Sequence, residues 1–139
     1  MMGNSEFRID RKKILLVSHE MTYTGAPKSL LKLACILQKC AYEVEIWTLK
    51  DGNYISEFEK NSFSVTTIDF PENASERLSK NLKRFDLVIA NTIFCAQFAR
   101  FSQMFTRTIL YIREAANISN LINGCFLNAE DISKCNHII

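Results

Sequence analysis

Apolar and polar positions along this chain fall into blocks that alternate in length and period. Ile14-Leu15-Leu16-Val17 is a continuous apolar run, the pattern of a strand buried on both faces of a parallel sheet. A polar turn from Ser18 to Gly25-Ala26-Pro27 follows. Pro27 reads as the first residue of a helix, and Leu30, Leu33, Ala34 and Leu37 supply its core stripe at i, i+3, i+4 and i+7. Val44 to Leu49 predicts a second strand, and Lys50-Asp51-Gly52 turns the chain into a short helix containing Ile55 and Phe58.

Val65 to Phe70 predicts a third strand, stopped by Pro71. Glu72 to Arg84 is polar and helical in pattern, with Leu78 and Leu82 as its apolar contacts. Leu87-Val88-Ile89-Ala90 is another fully buried strand ending at Asn91-Thr92, either of which is suited to cap the next helix. That helix carries Phe94, Phe98, Phe101 and Phe105 at helical spacing, a stripe that serves core packing more often than a partner groove. Ile109 to Ile112 gives a fifth strand that ends at Arg113-Glu114. Ile118, Leu121, Ile122 and Cys125 predict a further helix, weakened by Gly124. His137-Ile138-Ile139 begins a sixth strand, so the chain reads as truncated at its C-terminal end.

Strands and helices in this alternation call for an α/β fold: a Rossmann-like, doubly wound parallel sheet with helices on both faces. Residues 1–12 are polar and without period and read as a flexible leader, leaving 13–139 as one domain. At 139 residues the chain is long enough for one core and too short for two. A sheet whose sixth strand is uncovered exposes an apolar edge, which predicts self-association of the isolated domain.

Composition narrows the function classes. Hydrophobic residues make up 47% and charged residues 23%, and the net charge of +2 makes nucleic acid an unexpected partner. No apolar run approaches the roughly 20 residues that cross a bilayer, and Ile14 to Val17 is too short for a secretory signal. Cytoplasmic localisation is the expectation. The five cysteines, Cys35, Cys40, Cys95, Cys125 and Cys135, form no C-x-x-C pair and no metal-ligand spacing, so they read as reduced thiols that pack like small hydrophobes. Arg11, Lys12 and Lys13, if adjacent in space to Lys80, Lys83 and Arg84, would give weak peripheral contact with an anionic membrane.

Ligands of open α/β sheets bind outside the carboxyl ends of the strands. Ser18 to Pro27, Asn91-Thr92 and Arg113-Glu114 therefore converge on one rim. The first turn offers helix N-terminal N–H groups, with Gly25 allowing close approach, although Pro27 removes one donor. A dinucleotide fingerprint and a P-loop are both absent, and no cofactor or metal is implied. His19 and Glu20 either solvate the loop or bind a polar ligand. Glu114 has the same choice between an ion pair and a substrate, and Arg113 either grips an anion bidentately or covers the sheet edge.

The string ILLVSHEMTYTGAPKSLLKLA, then EVEIWTLKDG followed by ISEFE, and later DLVIANT and ILYIREA, resembles the N-terminal domain of family 4 glycosyltransferases of the GT-B fold. The resemblance covers most of Lys13 to Ile139. It implies two Rossmann-like domains facing across a cleft, the N-terminal one holding the acceptor and a C-terminal one, missing from this chain, binding a nucleotide-sugar donor. It further implies transfer with retention of configuration, without metal, in bacterial surface polysaccharide synthesis or related glycan assembly. By position, Gly25 and Ala26 would approach the donor's phosphates or sugar, while Asn91, Thr92 and Glu114 would line the acceptor side. Three residues depart from the family's habit: Ala26 stands where a second glycine is common, Arg113 where a histidine is common, and Ala41 where the turn after the first helix often has glycine.

Two other readings fit the same pattern of elements. One is a non-catalytic α/β binding module for a glycan, nucleotide or partner protein, and the other is a flavodoxin-like or receiver-like domain. The receiver version wants acids around the end of the first strand and an aspartate after a central one, where this chain has only Glu20 and Asn91.

Overall fold

A computed structural model of the chain describes residues 11–71, 76–112 and 129–139. In chain order the elements are β1 (Lys13–Ser18), α1 (Gly25–Lys39), β2 (Glu43–Thr48), α2 (Ile55–Lys60), β3 (Val65–Thr67), α3 (Glu76–Leu82) and β4 (Leu87–Asn91). A 3-10 turn (Ile93–Cys95) then leads into α4 (Ala96–Ser102), β5 (Thr108–Tyr111) and α5 (Ala129–Ser133). The five strands form one sheet in the order β3-β2-β1-β4-β5, and every pair is parallel. This is the Rossmann order. In a flavodoxin-like sheet β1 would lie beside β3, and here it lies between β2 and β4.

The apolar run of β1 explains the two-sided architecture. Successive side chains point to opposite faces, so Ile14 and Leu16 enter one core with Leu30 and Ala34 of α1, Ile46 of β2 and Phe58 of α2. Leu15 and Val17 enter the other with Trp47, Leu82 of α3, Val88, Ala90, and Phe98 and Ala99 of α4. Ile14 to Val17 are at most 5% exposed, which only a central strand covered on both sides achieves.

Several boundaries differ from the sequence expectation. α1 begins at Gly25, two residues before Pro27. Proline is tolerated there because the first-turn N–H groups have no intrahelical acceptor in any case. β3 ends at Thr67 instead of reaching Phe70. The Ile68 N–H still bonds the Thr48 carbonyl at 2.9 Å, but Phe70 then turns to pack its ring 5.3 Å from both Phe98 and Phe101. Packing that half-buried ring against the core wins over extending a polar edge strand. The described part of the next helix starts at Glu76, while 72–75, the helix expected around Ile118 to Cys125, Arg113 and Glu114 lie outside the described residues. α5 lies where the apolar pattern of the sequence predicts no element. It is held against α4 by Arg100, which pairs with Asp131 at 3.0 Å and with Glu130 at 3.6 Å. The expected start of a sixth strand is present: Ile138 bridges Leu110 in parallel, and Leu110 N–H bonds the His137 carbonyl at 2.9 Å.

Both helices on the α1/α2 face end in the same motif. At the end of α1, Tyr42 N–H bonds the Leu37 carbonyl and Ala41 N–H bonds the Gln38 carbonyl. At the end of α2, Phe63 N–H bonds the Phe58 carbonyl and Ser62 N–H bonds the Glu59 carbonyl. These are Schellman closures, the second reinforced by the Phe58 and Phe63 rings at 6.5 Å. Each needs a left-handed residue, and each supplies a non-glycine one: Ala41 at φ 70° and Ser62 at φ 66°. Gly52 does a different job. A Cβ there would collide with the backbone carbonyl of Met21, the same carbonyl that accepts the Tyr54 N–H at 2.8 Å. The loop after β2 thus lies directly against the loop after β1.

Three outcomes follow from this architecture. Ala41→Gly and Ser62→Gly should each stabilise the fold by about 1 kcal/mol, raising the melting temperature by about 4 °C in a thermal scan; an unchanged or lower value would contradict the left-handed assignment. Gly52→Ala should destabilise by about 1–3 kcal/mol in urea denaturation, because the obstructing atom is backbone. Among the described thiols Cys40 is exposed whereas Cys95 and Cys135 are buried. Burial, then the Asp131 charge, raises the Cys135 thiol against the opposing effect of Arg100, so less of it is thiolate at pH 8. Peptide mapping after iodoacetamide should show Cys40 modified first and Cys135 protected until the chain unfolds.

Candidate functional site

β1 and β4 are neighbours, yet the chain leaves them in opposite directions across the sheet. Their carboxyl ends therefore splay apart and open a crevice, the topological switch point of a doubly wound sheet. A cleft of about 230 Å³ lies there, lined by Ser18, His19, Glu20, Ala26, Pro27, Thr92 and Phe94. The fold thus brings together four of the residues singled out from sequence, His19, Glu20, Ala26 and Thr92. Asn91 lies on a neighbouring groove with Ser29, Leu30, Leu33, Ile89 and Tyr111.

The β1 turn is held mostly by its own polar groups. The Ser18 hydroxyl donates to the Glu20 carbonyl at 2.5 Å, and the Thr22 hydroxyl donates to the Glu20 carboxylate at 2.7 Å and lies 3.0 Å from the Thr24 hydroxyl. Glu20 is thereby fixed at the cleft. The aromatic ring of Tyr23 stands perpendicular to that of Tyr54 at 5.0 Å, a second tie between the two carboxyl-end loops. Burial raises the Tyr54 phenol, helped by Glu57 and Tyr23. Gly25 is exposed, and a Cβ on it would meet no atom within 4 Å, so its backbone is open to approach.

Neither Asn91 nor Thr92 caps the following helix through its side chain, contrary to the sequence expectation. Asn91 instead reaches across the crevice and donates from Nδ2 to the Ala26 carbonyl at 3.2 Å, pinning the start of α1 to the end of β4. Thr92 precedes the 3-10 turn at φ 79°, ψ 154°, with no side-chain cap bond. That region of backbone space is essentially reserved for glycine and costs on the order of 1–3 kcal/mol otherwise; a β-branched residue there is a genuine outlier. Thr92 is 4% exposed, and its Oγ1 is buried without a hydrogen-bond partner among the described residues.

The reversal at Thr92 sorts the residues after it. Ile93 and Cys95 enter the core, and Phe94 stays half-buried at the cleft, stacked on His19 with ring centroids 5.0 Å apart and planes 28° from parallel. The expected phenylalanine stripe therefore divides. Phe98 is fully buried, Phe101 and Phe105 pack against the same core, and Phe94 belongs to the site. Helical spacing concealed this because the helix proper starts only at Ala96.

The two basic groups do adjoin in part, on the opposite rim. Arg11, Lys13 and Arg84 line a concavity of about 350 Å³ with Tyr42, Glu43 and Glu45. The carboxylates are interleaved with the cations: Lys13 lies 3.9 Å from Glu43 and Arg84 lies 3.5 Å from Glu45. Lys80 pairs with Glu76 at 3.8 Å, and Lys83 stands over the Phe105 ring. No described helix is long and apolar enough to cross a membrane.

Comparison with known proteins gives one family. No curated protein and no solved structure matches the chain. Residues 10–113 match the sequence profile of glycosyl-transferase family 4, a span that contains all five strands and the residues lining the cleft. With a Rossmann-ordered parallel sheet, a switch-point cleft between β1 and β4 and a match over most of its length, the chain belongs to glycosyl-transferase family 4.

Proposed function

We propose that this chain is the acceptor-side domain of a retaining glycosyltransferase, which moves a sugar from a nucleotide-sugar donor to a glycan or lipid-linked acceptor. In this reading the donor is held by a second, C-terminal domain across the cleft, and the enzyme serves bacterial surface polysaccharide synthesis in the cytoplasm, peripheral to the membrane. Family membership supports the reaction class. The observation that carries the site is Thr92: a strained backbone and a buried hydroxyl with no partner among the described residues, both at the switch-point cleft. Strain and unsatisfied polar groups persist where function requires them.

The residues divide the work as follows. Gly25 and Ala26 present the open start of α1 to the donor, with Pro27 limiting the number of N–H donors. Asn91 fixes that helix start against β4. His19 and Glu20 offer hydrogen-bonding groups to acceptor hydroxyls, and Thr92 joins them by a step of about 120° in χ1 that carries its buried hydroxyl to the position of its methyl, the methyl moving to that of the hydrogen. Arg113 and Glu114 complete the acceptor side by position in the sequence.

The test combines activity and stability. The intact mass of the native gene product establishes whether a second domain accompanies this one, and nucleotide-sugar consumption is then measured on that product. Thr92→Val keeps the branch and removes the hydroxyl; it should lower kcat/KM at least tenfold, about 1.4 kcal/mol, without loss of folding. Thr92→Gly should do the same to activity while stabilising the fold by about 1 kcal/mol, since relief of strain and of an unpaired buried hydroxyl outweighs a lost methyl. Full activity in Thr92→Val would remove Thr92 from the site, and a product that consumes no nucleotide sugar would overturn the reaction class.

A further inference from the structure

The cleft has an aromatic wall. Phe94 is half-buried, lies at the cleft, and stacks on His19 nearly in parallel. Its neighbours Ile93 and Cys95 are fully buried and anchor the turn on either side, and the Thr92 reversal directs Phe94 away from the core they enter. The ring is therefore fixed in position by features that cost stability at Thr92.

The other lining groups alternate between apolar and hydrogen-bonding. Ala26 and Pro27 continue the apolar surface, while the polar residues Ser18, His19 and Glu20 interrupt it. This mixture matches one ligand chemistry well. A pyranose ring has an apolar face of C–H bonds and an edge of hydroxyls that both donate and accept. At about 230 Å³ the cleft is smaller than the roughly 300–1,000 Å³ of drug-sized pockets, a size suited to a single ring.

We propose that Phe94, braced by His19, is the platform on which the C–H face of one neutral pyranose unit of the acceptor rests, with its hydroxyl edge turned to Glu20. Phe94 is a specificity-determining residue in this account: the ring favours sugars whose C–H bonds are gathered on one face, and axial hydroxyls on that face oppose contact. The proposal rests on the glycosyltransferase reading and names the part of the acceptor that this domain holds.

The experiment uses the ¹⁵N-labelled chain and three neutral probes, methyl α-glucopyranoside, methyl α-galactopyranoside and methyl α-mannopyranoside. Binding should shift the amides of His19, Thr92 and Phe94, and should move sugar C–H protons upfield through the aromatic ring current. Phe94→Leu should abolish the upfield shift and weaken binding about fivefold, and Phe94→Trp should restore both. Amide positions distant from the cleft report whether each variant is folded; should Phe94→Leu fail to fold, a larger upfield shift in Phe94→Trp is the supporting result and an unchanged shift overturns the platform. Cleft amides that respond to sugar equally in wild type and Phe94→Leu overturn the platform and leave the glycosyltransferase reading standing. No response of the cleft amides to any of the three probes overturns the platform and counts against an acceptor site at this cleft.

Discussion

Parallel pairing on both sides of β1 is the constraint from which the rest of this structure follows. Lys13 to Ser18 bond β2 along one edge, and Ile14 to Ser18 bond β4 along the other. A strand so placed has no edge and no solvent face, so its four consecutive apolar residues supply both cores at once. Parallel neighbours cannot be joined by tight turns, so each connection must cross a face of the sheet. Right-handed crossovers then send α1 and α2 to one face and α3 and α4 to the other. The crevice at the carboxyl end is the geometric remainder of that reversal. It needs no dedicated residues to exist, only residues to furnish it.

What furnishes it differs in kind from what closes the helices. Ala41, Ser62 and Thr92 all adopt positive φ without being glycine, but the first two recover hydrogen bonds for the strain. Each completes a pair of Schellman bonds that satisfies carbonyls left over at a helix end. Thr92 takes up a less tolerant region of backbone space, and its hydroxyl has no partner among the described residues. The Thr92 backbone bonds the Tyr111 carbonyl and the Cys95 N–H, yet two penalties at one buried position are hard to account for as folding features alone. Their location beside the cleft turns that deficit into an argument for a ligand.

The sheet was legible because burial on both faces leaves an unmistakable apolar run, as in Ile14 to Val17 and Leu87 to Ala90. Ala41 was marked only through the family resemblance, as a position where glycine is common; its left-handed backbone is a finding of the structure. Less legible were features decided by contacts distant in sequence. Phe70 leaves β3 because Phe98 and Phe101 offer it a half-buried position against the core, and nothing near Phe70 announces this. Gly52 looks like an ordinary turn glycine until Met21 is placed against it. Phe94 shares helical spacing with three core phenylalanines, and only the reversal at Thr92 separates it from them. A sequence signal for that reversal was available in retrospect: Asn91-Thr92 is a polar pair following a fully buried strand, and Ile93 and Cys95 flank Phe94 as an alternating apolar pair.

The remaining question is how a site made of loops keeps its shape. Here the polar groups of the β1 turn are committed to one another: Ser18 to the Glu20 carbonyl, Thr22 to the Glu20 carboxylate, and Asn91 across the crevice to Ala26. The turn is braced from outside by the Gly52 contact, the Tyr54 N–H on Met21, and the perpendicular Tyr23–Tyr54 rings. Such cross-bracing fixes the cleft before any ligand arrives, so little ordering entropy remains to be lost on binding. It also means that changes in the loop after β2, remote from the cleft in sequence, act on the cleft through Met21. Preorganisation of this kind suits a transferase, whose reaction gains from proximity only when its reacting groups are held at one angle to each other.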